Sequence, residues 1–186
     1  SFPTRRSSDL SIILARHVGA GGFDFEQLGH TVEVAVRALD HVIDMNYYPI
    51  PGARASNLRW RPVGLGVMGL QDVFFRLRLA FDSPAARELS ARIGETIYFH
   101  ALRTSVELAR QYGAHDAFAD TRTALGQLQF DAWGVTPGSA LPWQELKADI
   151  AAAGLRNSLL IAIAPTATIA SIAGCYECIE PQVSNL

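Results

Sequence analysis

The chain has 186 residues, is 49% hydrophobic and carries a formal net charge of −2, which provides for one core but argues against a basic, nucleic-acid-binding face. No apolar run approaches the roughly 20 residues that a membrane span requires. Two cysteines are too few for a disulfide-rich secreted scaffold, and no secretory signal is visible, so the composition favours a cytoplasmic protein.

Residues 1–10 are polar and aperiodic, and they resemble one reading frame of a common DNA-sequencing adapter. We therefore expect residues 1–10 to be a sequencing or cloning scar, with an ordinary disordered N-terminus as the alternative. The domain would then comprise residues 11–186, and the natural chain would continue upstream of them.

A long amphipathic helix is predicted over residues 24–45, where apolar side chains recur at helical spacing. Asp24 is a suitable N-cap for this helix, because its carboxylate can accept a hydrogen bond from an amide of the first turn. The tyrosine- and proline-rich stretch 47–52 is predicted to end the helix.

The small apolar residues 63–70 predict a short buried strand that runs into a helix ending near Arg78. Ser83 followed by Pro84 is typical of a helix start. The apolar spacing after them predicts one long helix that ends at Tyr112, directly before a glycine.

Residues 115–141 show no sustained period and are predicted to be mostly loop, whereas residues 142–153 predict a helix that Gly154 closes. The nearly continuous apolar run 158–163 predicts a strand buried on both faces, as in parallel sheets. Long helices between short buried strands together predict an α/β architecture.

A literal G-x-G-x-x-G pattern is formed by Gly64, Gly66 and Gly69. A dinucleotide site would need a good strand before these glycines and an acid about 20 residues later. Pro62 weakens the preceding strand, and the nearest acid, Asp82, belongs to a helix start. We therefore favour close packing against a neighbouring segment as the reason for the glycines, with a nicotinamide site as the alternative.

The turn Pro165-Thr166-Ala167-Thr168 follows the predicted strand 158–163. Ligands of parallel α/β folds bind at the carboxyl ends of strands, and a helix that starts there presents free amides and the positive end of its dipole. Two threonine hydroxyls add donors, so this turn suits a phosphate; the lysine of a Walker loop is absent. The alternative is a helix cap without a ligand.

Cys175 and Cys178 form a lone C-x-x-C pair. A structural zinc site needs four ligands, and none of the five histidines stands at a metal-binding spacing from the pair. We expect no metal site and favour unreactive cysteines beside a turn, with a redox role as the alternative. No serine–histidine–aspartate arrangement can be nominated by spacing.

Five segments together resemble the large, catalytic (alpha) subunit of class I ribonucleotide reductases, in matching order and approximate spacing from residue 11 to residue 186. The segments are DMNYYPIP (44–51), RPVGLGVMGL (61–70), LRNSLL (155–160), APTAT (164–168) and ECIEP (177–181).

This resemblance implies part of a ten-stranded α/β barrel with long helices and a central catalytic loop. It implies the radical-based reduction of ribonucleoside diphosphates to deoxyribonucleotides for DNA synthesis, within an alpha homodimer. The large subunit would bind no cofactor directly: a metal-containing small (beta) subunit supplies the radical, and a thioredoxin- or glutaredoxin-type protein supplies electrons. By its motif, the substrate diphosphate would bind to Thr166, Ala167, Thr168 and Ile169.

The chain departs from the family pattern where the catalytic cysteines are concerned. The radical cysteine and its asparagine and glutamate helpers lie upstream in the family, and one reducing cysteine falls at the position of Ser7. Cys175 and Cys178 do not match the reducing pair. We therefore assign no catalytic residue here and expect the fragment alone to be inactive.

Three other interpretations stay open. A cobalamin-dependent class II reductase shares the barrel, although the ending over residues 177–186 favours class I. A nicotinamide-dependent oxidoreductase would use the glycine pattern of residues 64–69. A non-enzymatic domain would use the threonine-rich turn as a helix cap only.

Overall fold

The computed structural model describes residues 9–182. Within this range the four short strands come before Gly69, and helices and loops follow. The strands are β1 (Asp9–Ile13), β2 (Val18–Gly19), β3 (Gly22–Phe23) and β4 (Gly64–Met68), and the α-helices are α1 (Phe25–Met45), α2 (Pro51–Trp60), α3 (Leu70–Leu77), α4 (Pro84–Tyr112), α5 (Gln129–Ala132), α6 (Trp143–Ala153) and α7 (Ala167–Ala173). Short 3-10 turns cover Leu14–His17, Phe118–Asp120 and Thr123–Leu125.

A parallel β layer organises the fold. β1 pairs with β4 in parallel, from Asp9 opposite Gly64 to Ile13 opposite Met68, while β2 and β3 form a small antiparallel hairpin. The extended residues 158–163 lie beside β4, where the Leu65 amide donates to the Leu160 carbonyl at 2.8 Å. All five residues of β4 are buried, so this strand is the centre of the layer.

The prediction of a strand buried on both faces at residues 158–163 is wrong. Only one parallel bridge, between Leu65 and Ile161, joins this segment to β4. Leu160 is buried, but Leu159 and Ile163 are 37% and 46% exposed. Three backbone hydrogen bonds join the segment to β4 and to Val63 beside it, so it is extended chain without the continuous ladder of a regular strand.

The long predicted helices are confirmed. Asp24 caps α1, because its Oδ1 accepts from the Gln27 amide at 2.8 Å, and Ser83 Oγ accepts from the Ala86 amide to cap α4. The predicted boundaries of α3 and α6 also agree with the structure, including the closing glycine, Gly154.

Helix α2 was missed, because residues 47–52 were interpreted as a break and no helix was assigned after them. Pro51 occupies the first turn of α2, where its missing amide costs nothing, and no residue of this helix is buried. A helix without an apolar stripe gives no periodic signal, which explains the omission.

The main helical contact lies between α1 and α4. Leu28, Val32 and Val36 of α1 are fully buried. Gly29 allows the two helices to approach closely, since a Cβ at this position would lie 2.4 Å from the His100 ring. Helix α1 also contacts β1 and β4, so the core extends from the β layer through α1 to α4.

The described residues are of α/β type, as predicted, but residues 9–182 do not form a closed barrel. None of the helices in this range is both long and apolar enough to cross a membrane. Of the predicted scar, residues 1–8, including Ser7, lie outside the described residues. Asp9 and Leu10, which were counted with it, begin β1.

Candidate functional site

A buried ion-pair network lies where β4 begins. Arg61, with a side chain 3% exposed, donates from Nε to Asp40 Oδ1 at 2.9 Å and forms a bidentate pair with Asp44 at 2.8 and 2.7 Å. Burial opposes the positive charge, but the hydrogen bonds to Asp44 and Asp40 outweigh it and raise the pKa of Arg61. The same hydrogen bonds from Arg61 lower the pKa of Asp44, so this pair stays ionised within the fold.

Asn157 connects the ion pair to helix α4. Its Nδ2 donates to Asp40 Oδ1 at 2.8 Å and to the Arg61 carbonyl at 3.2 Å, and its Oδ1 accepts from Ser105 Oγ at 3.0 Å. These bonds satisfy a buried amide side chain that would otherwise destabilise the fold. The network thereby holds together the starts of β4 and of the extended segment 158–163, the two segments that lead into the site.

The first strand-to-helix junction, from β4 to α3, is rich in glycine. Inside β4, a Cβ on Gly64 would lie 2.2 Å from Asp9 Oδ1, and a Cβ on Gly66 would lie 2.8 Å from the Ala162 carbonyl oxygen. Gly69 follows as the N-cap of α3, in the left-handed region with φ 78° and ψ 30°. A dinucleotide fingerprint places its glycines in the turn after the strand. The glycines of β4 instead permit close packing against neighbouring segments, as we favoured.

The second junction is the threonine-rich turn between residues 158–163 and α7. Thr166 is the N-cap of α7 and is left-handed, with φ 58° and ψ 14°. For a β-branched residue, this conformation costs on the order of 1–2 kcal/mol. Strained backbone of this kind concentrates at functional sites, so the geometry marks Thr166 independently of its motif.

The first turn of α7 brings the predicted binding residues together. Thr166 is half-buried, while Ala167, Thr168 and Ile169 are exposed. Among residues 9–182, no backbone acceptor meets the amides of Ala167, Thr168 or Ile169. Such first-turn amides carry the positive end of the helix dipole. With the Thr168 hydroxyl beside them, they form a small surface suited to an anion that is rich in oxygen.

Residues 175–178 connect the two junctions. The Cys178 amide donates to Thr166 Oγ1 at 2.8 Å, so the threonine hydroxyl is held by a segment 12 residues further along the chain. The Gly69 amide donates to the Tyr176 carbonyl at 2.9 Å. The turn that starts α7 and the turn that starts α3 therefore both form hydrogen bonds to the short segment 175–178.

The two cysteines are packed at this connection. Both are free thiols, and Cys178 is buried. Burial, assisted by the nearby Asp72 carboxylate, raises the pKa of the Cys175 thiol. A raised pKa leaves less of the reactive thiolate at neutral pH, which supports the interpretation of this pair as unreactive.

A cavity of about 790 Å³ lies between α4, residues 121–138 and residues 157–161, the segment that leads to the second junction. Glu95 within it accepts hydrogen bonds from Ser139 and from the Trp143 indole, and the Tyr98 hydroxyl accepts one from a backbone amide. These polar groups already have partners, and the threonine-rich turn does not line the cavity. The cavity is therefore a poorer candidate site.

The interpretation of the sequence missed the network of Asp40, Arg61 and Asn157. A signal for it exists, because Asp40 lies four residues after Val36 and three before Ile43, on the apolar face of α1. An acid at such a position must find a partner inside the fold. The sequence does not show that this partner is Arg61, which lies 21 residues later, at the end of helix α2, a helix without an apolar stripe.

Comparison with known proteins identifies similar chains. The family model described as "Ribonucleotide reductase, barrel domain" matches residues 10–186. The ribonucleoside-diphosphate reductase large chain of Schizosaccharomyces pombe is 47% identical over 176 residues, which cover 95% of this chain and 22% of that protein. The large subunit from Caenorhabditis elegans is 49% identical over 177 residues, with 95% and 22% covered, and that from Variola virus is 48% identical over 176 residues, with 95% and 23% covered. The chain thus spans less than a quarter of the length of these relatives.

Proposed function

Because this chain belongs to the ribonucleotide reductase barrel-domain family, we propose that it is the part of a reductase large subunit that binds the diphosphate of the substrate. The complete enzyme would be an oxidoreductase that converts ribonucleoside diphosphates into deoxyribonucleoside diphosphates. Relatives named as large subunits of ribonucleoside-diphosphate reductases, 47–49% identical over 95% of the chain, support this assignment.

The observation that carries the proposal is the first turn of α7. Thr166, Ala167, Thr168 and Ile169 would bind phosphate oxygens through the free amides and the Thr168 hydroxyl. The Thr166 hydroxyl accepts from the Cys178 amide and so keeps its own hydrogen available to donate. Hydrogen bonds to a charged group are each worth about 1.5–3 kcal/mol, so a few of them suffice without a lysine.

The remaining parts of the enzyme would come from outside this chain. We propose that its strands complete a ten-stranded barrel in a cytoplasmic alpha homodimer. A metal-containing beta subunit would supply the radical, and a thioredoxin- or glutaredoxin-type protein would supply electrons. The raised pKa of Cys175 and the burial of Cys178 support the view that the reducing thiols lie elsewhere. The chain alone would then be inactive.

The alternatives receive less support. Relatives that are named as large subunits imply a smaller partner, which favours a class I enzyme over a cobalamin-dependent one. The nicotinamide interpretation loses its basis because Gly64 and Gly66 lie inside a buried strand.

The test is Thr166→Ala combined with Thr168→Ala in the complete large subunit. The dissociation constant for a ribonucleoside diphosphate should rise by the equivalent of roughly 1–3 kcal/mol, because hydrogen bonds to a charged group are lost. Binding of the nucleoside without phosphates should not change. Ser171→Ala is the matched control, since this hydroxyl lies on the same helix but bonds the Ala167 carbonyl. Unchanged diphosphate binding in the double variant contradicts the proposed site.

A further inference from the structure

The segment 175–178 is fixed at one end by the start of helix α3. Tyr176 makes a two-point backbone contact there: its carbonyl accepts from the Gly69 amide at 2.9 Å, and its amide donates to Asp72 Oδ2 at 2.7 Å. The Tyr176 ring also packs edge-on against Phe75, with 5.7 Å between the ring centroids. The Asp72 carboxylate is the side-chain part of this anchor.

The other end of the same segment holds the threonine-rich turn. The Cys178 amide donates to Thr166 Oγ1 at 2.8 Å, and Cys178 is itself left-handed with φ 44°. Two consecutive constraints therefore connect α3 to the strained Thr166. A shift of the Tyr176 backbone would move the Cys178 amide and release the Thr166 side chain.

We propose that Asp72 is a positioning residue for the phosphate-binding turn: it fixes Tyr176, and the Cys178 amide that follows then holds Thr166 in place. This inference rests on the proposed function of the turn. Asp72 itself does not contact the substrate. It acts through two hydrogen bonds that set the direction of the Thr166 hydroxyl.

The nature of the contact predicts a graded response to substitution. Asp72→Asn keeps a side-chain oxygen that can accept from the Tyr176 amide, whereas Asp72→Ala removes the acceptor. The alanine variant should therefore loosen the turn, and the asparagine variant should keep most of its order. Both variants remove the charge that helps to raise the pKa of Cys175, so charge and hydrogen bonding are separable.

The experiment uses the complete large subunit assembled with its small subunit, and measures KM and kcat for a ribonucleoside diphosphate. Asp72→Ala should raise KM about tenfold, the equivalent of one lost hydrogen bond, with a smaller effect on kcat. Asp72→Asn should stay within about threefold of the unsubstituted enzyme, since most of that bond remains. Asp82→Ala, an exposed aspartate ten residues away, is the matched control and should change neither constant.

The second measurement is the pH dependence of Cys175 modification by a maleimide, followed by mass spectrometry of the peptide that carries Cys175, because the reducing thiols of the complete subunit would react as well. Cys178 is replaced by alanine in every protein compared. Asp72→Asn should shift the modification profile to lower pH, which shows that the carboxylate faces the thiol as in the structure. If Asp72→Ala does not fold, Asp72→Ser, which is too short to reach the Tyr176 amide, replaces it with the same expected rise in KM.

Two results overturn the inference: an unchanged KM in the alanine or serine variant, or an equal rise in KM in the asparagine variant. The outcome is distinguishable from failure of the proposed function. If the double threonine variant binds substrate normally, the phosphate site is wrong. If that variant binds poorly while Asp72→Ala binds normally, only the positioning role is wrong.

Discussion

At two neighbouring places in this molecule, buried or extended chain passes into a helix through the same backbone geometry. β4 passes into α3 through Gly69, and residues 158–163 pass into α7 through Thr166; both residues are left-handed N-caps. At the first junction the residue is glycine, which adopts this conformation without strain. At the second it is a β-branched residue, for which the conformation is costly.

The difference fits the proposal that the first turn serves packing and the second binds the substrate diphosphate. The Gly69 amide is already bonded to the Tyr176 carbonyl, and α3 buries most of its first turn. The first turn of α7 is exposed, and a threonine there adds a hydroxyl at the position where glycine would be easier to accommodate. Because Thr166 keeps a strained backbone where glycine would be relaxed, its hydroxyl rather than its contribution to stability explains the choice of residue.

The largest expected effect concerns the network of Asp40, Arg61 and Asn157, which connects the starts of β4 and of residues 158–163. Arg61→Ala would leave the buried Asp40 with only the longer ion pair to Arg156 Nε, at 3.7 Å, and we expect a loss of about 3–5 kcal/mol in the free energy of unfolding. Urea denaturation measures this loss. Because the network joins β4 and residues 158–163, amide hydrogen exchange should increase at the start of both segments.

Arg54→Ala is the control for this prediction, since Arg54 is exposed on α2 and should change stability by less than about 0.5 kcal/mol. A loss below 1 kcal/mol for Arg61→Ala, or faster amide hydrogen exchange in only one of the two segments, would mean that the network does not stabilise both junctions.

The comparison also shows where pattern reasoning succeeded. Capping and periodicity at Asp24 and Ser83 are local signals, and both long helices begin where they predict. The position of the threonine-rich turn was predictable for the same reason. Its left-handed backbone and its bond to Cys178 were not, because they depend on a segment that returns 12 residues later.

Two substitutions, one at the N-cap of each helix, test the two junctions directly. Gly69→Ala should destabilise the fold by about 1–2 kcal/mol, because alanine is strained in this conformation while its Cβ has room. Thr166→Gly should change stability by less than about 1 kcal/mol, since relief of strain offsets the lost hydrogen bond to the Cys178 amide. Thr166→Gly should weaken binding of a ribonucleoside diphosphate more than Gly69→Ala does, because alanine keeps the amide that donates to the Tyr176 carbonyl. Stability comes from urea denaturation and affinity from calorimetry of the complete subunit.

Thr166→Ser is the control for this exchange, because it keeps the hydroxyl and should keep most of the affinity for the diphosphate. If Gly69→Ala weakened substrate binding as much as Thr166→Gly, the division between a packing turn and a binding turn would be refuted.

The smallest expected effect is a pH dependence of the packing between α2 and the segment that leads to the second junction. His115 is buried against Trp60 and Phe118, and its backbone amide donates to the Leu155 carbonyl. Burial lowers the pKa of His115, and it outweighs the neighbouring Asp116 carboxylate and a hydrogen bond to the Arg59 backbone, which both raise this pKa.

The unfolded chain therefore takes up a proton on this histidine near pH 6.5 while the folded chain does not. Stability attributable to His115 is complete above about pH 6.5 and falls as the pH drops towards the lowered pKa of the folded state. His115→Phe should remove this dependence and keep the aromatic contacts. The measurement is the difference in unfolding free energy between the two proteins from pH 7.5 to 5, which should grow in favour of phenylalanine as the pH falls. A difference that stays constant over this range would show that His115 is protonated equally in both states, contrary to its burial.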